Sequence, residues 1–139
     1  MIALSSHPEK CVIVLDDALP VGLAANTAAI LGISLGKRRP DLVGSDACDN
    51  DGRLHTGVIE TPLPILKASA DTLSELQTTA DDSLTVLDFS DLAQRCRTYD
   101  EFLDKMAATP SGALRTIGLA LCGPAKMVNA LTGRLPLLR

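Results

Sequence analysis

"TIGLALCGPAKMVNALTGRLPLLR", Thr116 to Arg139, is the stretch that decides the fold. With Arg115 in front, "RTIGLALCG" is an apolar run without polar alternation, which reads as a strand covered on both faces. Gly123 and Pro124 then open a helix, because the proline ring fixes φ near the helical value and has no N–H to satisfy. Gly133 closes that helix, and the final "LPLLR" is expected to pack back on the body. A strand running directly into a covering helix is one unit of an α/β domain.

Working outward, "KCVIVLDD" is a second apolar run, rich in β-branched residues and ended by two aspartates, and it predicts a first strand from Lys10 to Asp16. "LPVGLAANTAAILGISLGK" has Pro20 near its start, Gly36 and Lys37 near its end, and apolar residues on nearly every face, so a helix covered on several sides is expected. "RPDLVGSDACDNDGRL" is dense in turn formers and reads as a long surface loop. In "HTGVIETPLPILKA", Pro62 and Pro64 cannot donate to a ladder, which assigns that strand to a sheet edge. Ser69 is placed to cap a helix through Leu73 and Leu76, "SLTVLDF" supplies a third strand from Leu84 to Asp88, and Ser90 caps a short turn through Leu92 and Ala93. In "TYDEFLDKM", Thr98 and Glu101 have capping-box spacing, and Tyr99, Phe102, Leu103 and Met106 recur at helical spacing. The alternation predicts a single α/β domain over residues 1–139, a three-layer α/β/α arrangement, since each parallel crossover brings a helix onto a sheet face.

Composition excludes several function classes. Hydrophobic residues make up 46% but aromatics only 2%, so the core is aliphatic. Thirteen Lys and Arg against 17 Asp and Glu leave a net charge of −4, which argues against a nucleic-acid partner, whose phosphates need clustered cations. The four cysteines show no C-x-x-C spacing, and only His7 and His55 could complete a metal site, so neither a metal nor another cofactor is expected. "DACDNDG", Asp46 to Gly52, lacks the alternating carboxylates of a calcium loop and reads as turn chemistry. "MIALSSHPEK" has no basic stretch leading into an apolar signal region, so a cytoplasmic location with reduced thiols is the expectation. Ala18 to Gly36 is uncharged and nearly long enough to span a bilayer, yet Pro20, Asn26, Thr27 and Ser34 favour a buried helix and no membrane.

The same residues carry a resemblance. "TIGLALCGPAKMVNALTGRLPLL" is similar to the end of peptidyl-tRNA hydrolase II proteins, and "CVIVLDDALPVGLAANTAA" resembles their first strand, turn and helix start, through Leu19, Gly22, Ala24, Ala25 and Asn26. The combination of "DDALPVGLAAN", the helix around Tyr99 and the ending "LPLLR" resembles more closely an uncharacterised branch of that superfamily, the domain-of-unknown-function two-thousand family. The resemblance implies a four-stranded mixed sheet in order 2-1-4-3, its last strand antiparallel, between helical layers. That order would set Cys11 near Cys122, where two buried thiols are expected. It also exposes departures. Peptidyl-tRNA hydrolase II proteins carry a lysine in the loop before this helix, but here Gly22 runs straight into Leu23 and Ala24; their histidine falls at about Ala29. Asp88 matches their acidic residue after the third strand, while Thr98 is no confident counterpart of the threonine that follows.

The polar groups that remain are Asp16 and Asp17 after the first strand, Asn26 and Thr27 in the apolar helix, and Asp88 and Ser90 after the third strand. In the implied fold they gather beyond the carboxyl ends of parallel strands, where open α/β sheets bind ligands. One reading makes them a binding site for a small molecule or a partner. A second makes Asp17 and Asp88 the acid–base candidates of an ester or amide hydrolase. The competing structural reading has the aspartates and Ser90 capping helices while Asn26 and Thr27 satisfy buried backbone groups. A homodimer through the apolar tail is a further expectation. "GKRRP" reads as a partner of the helix C-terminal dipole, and His55 as an exposed loop residue.

Overall fold

Six consecutive residues, Cys11 to Asp16, are buried in the computed structural model, which describes residues 9–80 and 82–139. The leading segment 1–8, with His7 and most of the stretch read for export, and Asp81 lie outside the described residues. The buried run belongs to β1 (Glu9–Asp16), followed by α1 (Val21–Arg38), a 3-10 turn (Pro40–Leu42), and a small hairpin of β2 (Ala47–Cys48) and β3 (Leu54–His55). Next come β4 (Ile65–Ala68), α2 (Ala70–Thr79), β5 (Thr85–Ser90), α3 (Asp91–Arg95) and α4 (Tyr99–Ala107). A second 3-10 turn (Ser111–Ala113), β6 (Thr116–Pro124) and α5 (Ala125–Thr132) complete the chain.

The main sheet has the order β4-β1-β6-β5, with β4 parallel to β1 and β6 antiparallel to both neighbours. This is the order expected for four strands taken as 2-1-4-3, with β4 at an edge just after Pro62 and Pro64. Strands β1 and β6 are central, and their unbroken apolar runs follow from burial on both faces. Val12, Val14, Leu119 and Leu121 pack with Leu73 and Leu76 of α2 and Val128 of α5 on one face. Ile13, Leu15 and Ala120 pack with Ala24 and Leu31 of α1 on the other. A fully buried leucine such as Leu119 contributes about 1.5–3 kcal/mol.

Helix α1 corrects one expectation. It buries a single stripe, Ala24, Thr27, Leu31 and Leu35, while Val21 and Ile33 on the far side are 88% and 75% exposed. The buried stripe packs on the sheet, and Leu35 at its end also meets Leu42 of the 3-10 turn. Neither aspartate caps it: Pro20 is the N-cap, without a side-chain hydrogen bond, and Asp16 instead closes the preceding turn by accepting from the Ala18 N–H at 2.9 Å. The long loop is also more ordered than its composition implies. The Asp49 carboxylate accepts from the Asp51 and Arg53 N–H groups, Asp46 accepts from Gly57, and these bonds fold the segment into the β2–β3 hairpin. Exposed His55 pairs with Asp49 there at 2.7 Å.

The expectation of two separate thiols is overturned. Cys11 and Cys122 stand opposite each other in the β1–β6 register with Cα atoms 4.2 Å apart, and a disulfide joins them across 111 residues. At the chain's end, Lys67 donates to Pro136 and Leu138 to Ile65, so the "LPLLR" segment lies along β4 and covers that sheet edge. No helix among the described residues is long and apolar enough to cross a membrane.

Candidate functional site

Because β6 is antiparallel to both, β1 and β5 run the same way and finish at the end of the sheet where β6 begins. Strand β6 stands between them, so they are not adjacent. Three chain segments therefore meet at one rim: Asp16 at the end of β1, Asp88 to Ser90 at the end of β5, and Arg115 just before β6. A bulge between Phe89 and Ser90 turns the chain out of the sheet there.

Asp16 is 2% exposed, and both its oxygens are used: one by the Ala18 N–H, the other by Arg115 Nη2 at 2.8 Å. The hydrogen bond to Asp16, then its charge, raises the Arg115 guanidinium above its ordinary value. The Arg115 carbonyl accepts from the Asp91 N–H and so fixes the start of α3. Ser90 is buried, and its hydroxyl accepts from the Ala93 N–H at 3.2 Å, the expected cap. Asp88 is exposed and accepts from Gln77 Nε2 of α2 at 3.2 Å, while Gln77 accepts from the Thr116 hydroxyl. In the β5–β6–β1 register Asp88 aligns with Leu119 and Val14, which places its side chain on the α2 face.

Two clefts meet at Asp88. One, of about 440 Å³, lies between α1, the end of β5 and α4; Ile30, Phe89, Tyr99, Phe102 and Met106 form its apolar walls, with Ser34, Ser90, Cys96 and Arg97 among its polar atoms. The other, of about 680 Å³, lies on the α2 side, and the side chains of Asp71, Ser74, Gln77, Arg115 and Thr116 contribute to its lining together with Ala70 and Leu114. Helix α4 explains the first. It starts at Thr98, whose hydroxyl accepts from Glu101, and its apolar residues fall on one stripe, yet none is buried and Tyr99 is 71% exposed. That stripe faces an open cleft where a core would normally be.

The structure thus brings Asp88 and Ser90 into one cleft and ties Asp16 to Arg115 of the neighbouring groove. Asp17 and Asn26 are exposed and line neither of these two clefts. Thr27 is fully buried against Gly118, and its hydroxyl is the buried side-chain group without a hydrogen-bond partner among the described residues. Sequence reasoning missed Arg115 and Gln77. Arg115 was within reach of it, because the order 2-1-4-3 with an antiparallel last strand sets the start of that strand beside the ends of the first and third. Among the described residues no group of three His, Cys, Asp or Glu side chains is placed to hold a metal ion.

No curated protein sequence matches the chain. Among solved structures it is similar to a protein of unknown function from Agrobacterium tumefaciens strain C58, with a TM-score of 0.85 and 16% sequence identity, covering 96% of this chain and 99% of that one. That likeness is one of fold. Residues 9–139 match the family described as "Protein of unknown function (DUF2000)", and the chain belongs to that family.

Proposed function

We propose that this protein is a binding domain of peptidyl-tRNA hydrolase II-like fold that takes a small molecule or a short segment of a partner in the clefts meeting at Asp88. The observation that carries the reading is α4: an amphipathic helix with none of its residues buried, presenting Tyr99, Phe102 and Met106 to an open cleft. Apolar walls with a few converging polar groups are the usual form of a ligand site. The sheet order supports the fold assignment, and Asp16, through Arg115, together with Ser90, through α3, shapes the rim. In this reading Asp17 and Asn26 stand outside both clefts, and buried Thr27 acts only in seating α1 on the sheet at Gly118. The hydrolase reading fits less well: Asp17 lines neither described cleft, and Asp88 accepts from a glutamine amide, an arrangement that holds a carboxylate in place and offers no proton relay.

The test is a metabolite library screened by thermal shift on the full chain and on Asp88→Ala and Phe102→Ser. Hits whose stabilisation disappears in both variants support the proposal. Hits indifferent to both substitutions contradict it, as does turnover of a peptidyl ester that survives them.

A further inference from the structure

We infer that the free edge of β5 docks an extended peptide segment of a partner protein, with apolar and basic residues in alternation, as a fifth strand of the sheet. This rests on the clefts being a binding site and names their occupant. In an antiparallel ladder a residue's N–H and C=O point to the same side, and the side alternates along the strand. The Ile13 N–H donates to Pro64 on the β4 side at 3.0 Å, so Val12 and Val14 face β6 and bond Leu121 and Leu119. Ala120 and Cys122 must then face β5, where they bond Leu87 and Thr85. The main-chain groups of Val86 and Asp88 are left pointing away from the sheet, and no hydrogen bond among the described residues takes them up.

The two edges differ in kind. Residues 136–138 cover β4, whereas β5 has no covering segment and no proline or lysine; its edge is blunted only by the Asp88 charge and by a bulge at its end, and a basic partner strand would neutralise that charge. An added strand would send alternate side chains to opposite faces. On the α1 side they would meet Phe89, Tyr99, Phe102 and Met106, which suits apolar residues. On the α2 side they would meet Asp71 and Asp88, while Arg115 is already engaged by Asp16, which suits basic ones. A second copy pairing β5 with β5 would instead bring two Asp88 carboxylates into one ladder.

The probe is a short capped peptide of alternating lysine and valine, tested with the full chain by titration and amide exchange. At about ten times the Kd, exchange at Val86 and Asp88 should slow about tenfold with Leu87 unchanged. A peptide N-methylated at every lysine and one N-methylated at every valine should behave differently, one losing binding and the other keeping it, because a strand bonds its neighbour through alternate residues. Replacing lysine by glutamate should abolish binding. No binding at roughly millimolar peptide, equal effects of the two methylations, or binding without protection of Val86 and Asp88 would overturn the inference. Protection of those amides in the free protein that grows with protein concentration would also overturn it and assign the edge to a second copy. Peptide binding that perturbs Tyr99 and Phe102 without edge protection leaves the cleft reading intact, and failure of both this titration and the small-molecule screen removes both.

Discussion

Replacing Gly118 by alanine tests how α1 is seated on the sheet, and through Ile30 and Leu31 it tests the wall of the apolar cleft. A Cβ at Gly118 would stand 2.7 Å from Thr27 Cγ2, 3.0 Å from Leu31 Cδ1 and 3.2 Å from Leu15 Cδ2. The first contact is inside any normal carbon–carbon approach, and Thr27 is fully buried on a helix where its branched side chain has little rotamer freedom. Overpacking of this kind costs about 1–3 kcal/mol, and alanine's better strand entropy returns roughly 0.5–1 of that. A net loss of about 1.2 kcal/mol corresponds, at roughly 2.1 cal/mol/K per residue, to a Tm lowered by about 4 °C. Thr27→Ala alone should be close to neutral, because it removes both a packed methyl and a buried hydroxyl that has no partner. The double variant should then recover at least about 1 kcal/mol, read by calorimetry and denaturant titration as a coupling energy. Additive losses in the double variant, or a Gly118→Ala protein as stable as the parent, would refute this packing.

Other outcomes follow from the same geometry. Arg115→Ala leaves buried Asp16 with the Ala18 N–H alone and should cost about 2 kcal/mol, less than for a fully buried pair because Arg115 is half exposed and water can take its place; an unchanged denaturation midpoint would contradict it. Mass spectrometry of the unfolded, unreduced chain should show it two hydrogens lighter than after reduction, and replacing Cys11 and Cys122 by alanine should lower stability by about 4–5 kcal/mol in the chain-entropy description of a 111-residue separation. The Glu101 carboxyl lies below its ordinary value because Lys105 and then the Arg97 N–H stabilise its charge. A lowered folded pKa means that its support of α4 is present above the ordinary glutamate range and is lost as pH falls through the folded value. Helical circular dichroism should show that acid-side loss in the parent and not in Glu101→Gln.

The strands were legible because β1 and β6 are unbroken apolar runs, and the caps at Ser69, Ser90 and Thr98 because short polar side chains before helices leave a local signature. Tertiary placement was not. The stripe of α4 has the period of a core-facing helix, and period does not distinguish a core from an open cleft. The apolar outer side of α1 looked covered because Val21 and Ile33 are hydrophobic, whereas only position on the sheet decides burial. The sheet order implied by the resemblance already set Cys11 near Cys122, but that the two are joined depended on their standing directly opposite in the register, which no local pattern encodes. In the candidate site, Asp88 and Ser90 stood out as polar groups ending a strand, but their relation to Arg115 and Gln77 is a product of chain reversal at β6 and of α2 crossing the sheet.

The most direct measurement is backbone amide chemical-shift mapping of the strongest hit from the library or the peptide titration. We predict the largest changes at Asp88, Phe89 and Ser90 of β5 and at Tyr99 and Phe102 of α4. Changes centred on the outer face of α1, at Val21 and Ile33, or on the tail at Leu137 and Leu138, with β5 silent, would contradict a binding site at Asp88.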